Sequence, residues 1–323
     1  MFKAVLVLLA MGFSAHVYAD DNSAADQTKN KVKVEDVNGR KNKVDGDIDQ
    51  EITNAKLRAE SGSKSKFSLS ATATYTGGTI TNAFGTERPN IKGTPEQETH
   101  TSIGGGFDAR YRWTKNDSFT LGTTYAIMTP FQGNVHTSKS QYNLFDPAIA
   151  YNRVGKVGGF QTVATVAYAY GTSTASTAVD LTHQVGVAYN AMWDFHNGFS
   201  AGAQVAADYN YYTSRPGDNK VGADPGNYGG DSRVDWDFAI YPQAEYQFND
   251  MISARTVFGY FNWKHLYGDT NRTRLLQEFV YQSLGIGISV ARDFFLYPNI
   301  QFLPGNLHSQ YTNVGLNATL NVF

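Results

Sequence analysis

The stretch Arg233-Val-Asp-Trp-Asp-Phe-Ala-Ile-Tyr-Pro-Gln-Ala-Glu-Tyr-Gln-Phe248 changes character at almost every step. Val234, Trp236, Phe238, Ile240, Ala244, Tyr246 and Phe248 alternate with Arg233, Asp235, Asp237, Gln243, Glu245 and Gln247. Successive side chains of a strand point to opposite faces, so this segment has one apolar face and one charged face. A transmembrane β-barrel requires that pairing, because each strand meets lipid outside and a polar lumen inside.

The same alternation recurs from about Phe67 to Phe323. It predicts an all-β chain forming a 12-stranded antiparallel transmembrane β-barrel over residues 66–323. The strands are expected near 66–76, 99–113, 118–128, 140–152, 159–170, 178–193, 199–212, 233–248, 251–263, 274–290, 294–302 and 310–323. The intervening connections alternate between short ones, such as 249–250 and 291–293, and long Gly/Pro-rich ones, such as 213–232. Short turns at one end and long loops at the other are the pattern of bacterial outer-membrane barrels, and an even count returns both termini to the turn side. Aromatic residues gather at both ends: Trp113, Trp193, Phe199, Phe248 and Phe294 towards the turns, and Tyr75, Tyr125, Tyr170, Tyr211 and Tyr260 towards the loops. Two interfacial belts are expected from them.

Composition agrees. Only 17% of the 323 residues are charged, the mean hydropathy is −0.38, and no apolar run of helix-spanning length follows the N-terminus, which excludes a helical membrane bundle. With a net charge of −2 and no basic patch, nucleic acid is not an expected partner. The absence of cysteine excludes thiol chemistry and disulfides.

The first residues, Met1-Phe-Lys3, an apolar run over 4–13, and Val17-Tyr-Ala19, read as a secretory signal peptide over 1–19. Residues 20–65 hold about twenty charged residues of both signs. Within them Val44, Ile48, Ile52, Ala55 and Ala59 recur at helical spacing, and a helix over about 47–61 is expected, started by aspartates and ended by Gly62. Its apolar seam, Val44, Ile48 and Ile52, is a candidate contact between protomers, although a helix 10–12 Å across also fits a twelve-stranded lumen as a plug.

Strand phasing turns Asp108, Arg110, Arg112, Asp208, Arg233, Asp235, Asp237, Glu245 and Arg255 inward. An arginine facing lipid at mid-depth would cost about 2–4 kcal/mol. These charges either line a solute-sorting constriction or pair to fill a narrow lumen. Thr162, His183, Asn262 and Gln282 fall on the outward phase, polar where lipid favours otherwise, and are further candidate oligomer contacts.

Sites of chemistry are scarce. Asp45-Gly-Asp-Ile-Asp49 begins like a calcium loop, but its sixth and twelfth positions are Gln50 and Lys56, so it reads as helix capping. His100, His136, His265 and His308 fall in or beside long loops without metal-ligand spacing. His183 has no serine phased beside it for a hydrolytic pair. No catalytic residue, metal or cofactor is expected, and the chain is read as a non-enzyme.

The stretch Ile52-Thr-Asn-Ala-Lys-Leu-Arg-Ala-Glu-Ser-Gly-Ser-Lys-Ser-Lys-Phe67, the segment Tyr75-Thr-Gly-Gly-Thr79, and Asp117-Ser-Phe-Thr-Leu-Gly122 followed by Pro130-Phe-Gln-Gly133 resemble the porin-like outer-membrane proteins of predatory bacteria. The resemblance spans most of the mature chain. It implies twelve-stranded barrels joined as a ring-like homo-oligomer, a pentamer, whose central bowl traps membrane lipid, with little classical porin conduction. The barrel-assembly machinery is then the partner in biogenesis. The final strand departs from the wider class: Val314, Leu316, Ala318, Leu320 and Val322 set a phase that leaves the terminal Phe323 one step off, which a bulge would restore. A diffusion channel for small solutes is the alternative function, and a lipid-modifying enzyme the least favoured.

Overall fold

The computed structural model describes residues 49, 52, 54–89, 99–132, 141–216, 233–259, 261–277 and 281–322. Residues 1–19, most of the charged segment including Val44 and Ile48, His136, Tyr260 and Phe323 lie outside the described residues.

Twelve antiparallel strands close on themselves. They are β1 (Phe67–Thr79), β2 (Ser102–Arg112), β3 (Asp117–Met128), β4 (Tyr142–Val157), β5 (Phe160–Tyr170) and β6 (Leu181–Asp194). There follow β7 (Phe199–Tyr212), β8 (Val234–Gln247), β9 (Ile252–Gly259 continued by Phe261–Leu266), β10 (Leu276–Gln277 continued by Tyr281–Ala291), β11 (Phe294–Phe302) and β12 (Asn313–Val322). Every strand pairs with its sequence neighbours, and β12 returns to β1 with Ala318 opposite Ala73. Closure removes the unpaired edges that an open sheet would leave in hydrocarbon.

The wall is amphipathic as the sequence dictates. Phe107, Leu121, Ile149, Val166, Val187, Leu284 and Ile286 are exposed on the outer face. Buried serines, threonines, amides and charges fill the inner face. At the turn end, Trp113, Trp193, Phe199 and Phe248 are exposed; at the loop end, Tyr170 and Tyr211 are.

Two prolines fall at irregularities of the ladder. On β8, Ile240 faces Phe261 and Gln243 faces Val257. Three steps on β8 therefore match four on β9, a one-residue bulge opposite Tyr241 and Pro242, where proline lacks an N–H for the ladder. A bulge reverses the facing of everything beyond it. Asn262 consequently pairs with the inward Ala239 and is buried, so its expected place on the outer wall is corrected: it faces the lumen. In β4 a second bulge separates Thr123–Pro147 from Tyr125–Leu144. It re-aims Asp146, whose carboxylate accepts the Thr172 and Ser173 N–H groups at 2.7 Å and the Ser176 hydroxyl, anchoring the short helix Thr174–Ala178 in a loop.

The N-terminal helix, α1 (Ala55–Ser61), precedes β1 at the turn end. Asn54 caps it, its Oδ1 accepting the Leu57 N–H at 3.0 Å. That cap places the regular helix later than the start expected near Asp47. Gly62 ends it at φ 78°, a conformation glycine adopts without strain.

Candidate functional site

The centre of interest is the lumen, because α1 lies inside it. Ile52 and Leu57 are fully buried in one cluster with Val154 of β4 and Met192 of β6, and Val163 of β5 packs against it. Ala59 packs with Phe295 and Tyr297 of β11. All five wall residues sit on the inward phase of their strands. Ile52, at 0% exposure, has no surface left for a second protomer, and its expected role as an oligomer contact is corrected to packing within its own barrel.

Polar contacts fix the helix at both ends. The Asn54 N–H donates to Gln161 Oε1 of β5 at 3.0 Å. At the other end the last carbonyls of a helix lack intrahelical partners and carry the negative end of its dipole. Here the wall and its turn supply donors for five consecutive carbonyls, the last three of the helix and the two that follow it. Asn321 Nδ2 donates to Ala59 O at 2.6 Å, Arg110 Nη1 to Glu60 O at 2.9 Å, and Arg112 to Ser61 O and, at 3.0 Å, to Ser63 O. Arg292, in the β10–β11 turn, donates to Gly62 O at 2.8 Å. A Cβ on Gly62 would lie 2.4 Å from Arg110 Nη1, so this contact also needs glycine.

A second tie runs through Asp49, which accepts Arg292 through both nitrogens at 2.9–3.1 Å and Lys64 at 2.9 Å. Burial by itself would raise the Asp49 carboxyl. The hydrogen bonds and charge of Arg292 and then Lys64 prevail and hold it below its ordinary value of 3.8.

The remaining inward charges have separate employments. Arg255 is buried beside Glu245 at 3.8 Å, lies 4.7 Å over the Tyr297 ring, and donates to Gln243 Oε1 at 3.1 Å. Gln243 in turn donates to Asn190 of β6 at 2.8 Å. Asp208 and Asp237 are register partners on β7 and β8, and Lys264 is the partner of Asp237 on the other side. Asp235 meets His265 Nδ1 at 2.7 Å, with His265 stacked on Trp236.

Arg233 stands at the loop end rather than across the lumen. Its guanidinium lies between the Tyr212 and Tyr267 rings, 4.8 Å from each. It donates to Val179 O at 3.1 Å, Ser214 Oγ at 2.6 Å and Arg215 O at 3.1 Å, joining three loop segments.

Above the helix the lumen holds a cavity of about 150 Å³. Of the nine charges phased inward from sequence, Asp108 and Arg110 line it. On the outer wall, Thr162 is covered by its own barrel and donates to Gly155 O at 3.1 Å. His183 lies among Tyr168 and Tyr170, bonded to the Tyr168 hydroxyl at 2.6 Å. Gln282 donates to Thr256 Oγ1 at 2.9 Å. Among the described residues no group of three or more His, Cys, Asp or Glu side chains is placed to hold a metal ion.

Sequence reasoning missed Arg292, Gln161 and Asn321. Arg292 was hidden in a turn. Gln161 and Asn321 were legible as inward polar positions, but nothing marked them apart from other inward amides.

The chain matches no protein-family model and no curated protein. It is similar to solved barrels. An outer membrane channel from Pseudomonas putida F1 shares 11% identity over 81% of this chain and 97% of that one, with a TM-score of 0.45. The NanC porin shares 10% over 78% and 97%, at 0.41. Salmonella typhi OmpF, in complex with daunomycin, shares 10% over 81% and 99%, at 0.35. At these identities the likeness concerns the barrel architecture alone.

Proposed function

We propose that this chain is a non-enzymatic, porin-like barrel of the bacterial outer membrane whose own N-terminal helix closes the lumen at rest, and that small polar solutes pass when the helix leaves. One observation carries the reading. Five successive carbonyls, from Ala59 to Ser63, are each met by a donor from the wall or its turn. A segment merely parked in a wide pore has no need of such a complement, whereas a plug that must reseat in one position does.

The turn end, where the helix enters, then faces the periplasm, as the alternation of short and long connections implies. The test is single-channel recording of the full chain and of a chain lacking residues 20–62 in planar bilayers. The full chain should show a low, mostly closed signal and the shortened one a large steady conductance. Equal conductance from both would reject the plug.

A second reading keeps the barrel and changes its use: a homo-oligomeric ring, pentameric by the resemblance, that encloses membrane lipid. It draws on the outward polar sites, His183 with its tyrosines and the Gln282–Thr256 bond. Placing Lys at Gln282 should dissociate such a ring on native gels. Unchanged migration rejects that contact. Either use requires insertion by the barrel-assembly machinery.

A further inference from the structure

The cavity above α1 has two unlike flanks, and we infer that it is a binding site for a small neutral polyhydroxylated solute with a six-membered ring. This rests on the reading of the lumen as a solute path.

One flank sets four alanines among Asn152, Thr165 and Asn190 of the same strands. Ala148 and Ala150 of β4, Ala167 of β5 and Ala188 of β6 line it with methyl groups, an unusual surface for the inside of a barrel whose lumen is otherwise polar. The opposite flank carries Thr72, Asp108 and Arg110 of β1 and β2 and Thr319 of β12, and α1 supplies the floor through Ala59 and Glu60. A cavity of this volume lined by apolar groups accepts one benzene ring, so one ring of six atoms fits the space.

The polar groups have capacity to spare. Asn152 donates one N–H to Thr120 at 3.3 Å and accepts the Thr165 hydroxyl at 2.9 Å. That leaves it a second N–H and a second lone pair. Thr72 Oγ1 accepts the Gly106 N–H at 3.0 Å and retains its own O–H to donate. A hydroxyl both donates and accepts, so a polyol satisfies such a mixed set where an ion does not.

Charge points the same way. Asp108 and Arg110 stand two residues apart on one inward face, and Glu60 pairs with Lys56 at 2.6 Å. The formal charges of these four groups sum to zero, which gives neither an anion nor a cation an evident advantage. A pyranose or a cyclitol offers what remains: C–H groups on a ring face for the alanines and hydroxyls at the rim for the amide and the threonines.

The experiment is isothermal titration of the full detergent-extracted chain with D-glucose and myo-inositol, with choline and acetate as charged comparators. Saturable binding of at least one polyol, at least tenfold tighter than either comparator, is expected. It should weaken at least tenfold in Ala167→Trp, which fills the cavity, and in Asn152→Leu, which keeps volume and removes the amide. Heat-modifiable gel migration establishes that each variant is a folded barrel, and Asn152→Leu decides the matter if Ala167→Trp does not fold. Absence of saturable polyol binding, or binding indifferent to Asn152→Leu, overturns the site. If the chain lacking residues 20–62 conducts while the full chain binds no polyol, the site fails and the channel stands. If polyols bind and the shortened chain passes no current, the site stands and the channel fails.

Discussion

Both ends of the lumen are organised by arginines that donate to backbone carbonyls, yet the two ends are built differently. At the turn end, Arg110 and Arg112 of β2 and Arg292 of the β10–β11 turn converge on the carbonyls at the C-terminal end of one helix. At the loop end a single Arg233, held between two tyrosine rings, gathers carbonyls from different loops. Guanidinium suits both tasks, with five donors in a fixed plane and a face that stacks on rings. The difference is what is held: one helix, or separate loops tied at a point. At both ends the arginines serve to tether chain.

The contrast can be broken most sharply by deleting residues 20–62, which should convert a nearly closed channel into an open one while the barrel keeps its heat-modifiable migration. Removing the donors alone should act next most strongly. Each charge-assisted hydrogen bond contributes about 1.5–3 kcal/mol. Arg110→Ala with Arg112→Ala should therefore raise the open fraction in bilayer recordings at least tenfold, and Arg292→Ala should add to it.

Gly62→Ala, which places a methyl against Arg110 at a left-handed φ, should open the plug measurably without removing any charge. Arg233→Ala, by contrast, should quicken proteolysis in the loops around residues 179 and 215 and leave the closed level unchanged. Opening of the plug by Arg233→Ala would erase the distinction between the two ends.

Acid gives the smallest effect and a sign. The Asp49 carboxyl is held below 3.8 when folded, so the stability it contributes is fully present above its unfolded value and is lost as pH falls through the folded one. Recordings should show more frequent opening only below about pH 3.8 and no change between pH 5 and 8. Asp49→Asn should abolish that acid response.

Much of the barrel was legible because the lipid and lumen faces impose opposite demands on alternate residues, as in 233–248. The number and order of the strands and the inward facing of Asp208, Asp237, Glu245 and Arg255 follow from that period, whereas the strand ends do not: the fourth strand, expected to stop at 152, runs to Val157. Two further things did not. The apolar seam ending in Ile52 and Ala59 reads the same whether it docks against a lumen or a neighbouring copy, since helical periodicity specifies a buried face and not its partner. Asn262 was misphased by a bulge that the period of two cannot register. Its signal was on the neighbouring strand: Pro242 sits where a ladder bond cannot form, and a proline within a strand announces an irregularity close by.

The helix is followed at once by the wall. Only four residues, or five Cα–Cα steps, separate Gly62 from Phe67, and the Arg112 N–H already bonds Lys66 O at 2.8 Å. A leash of that length reaches roughly 17 Å at full extension, so an ejected stopper stays beside its seat at an effective concentration of order millimolar or above. If the helix acts as the proposed plug, closure after each opening is a unimolecular return needing no second protein, as fast as the helix can re-form its bonds to Asn321, Arg110, Arg112 and Arg292.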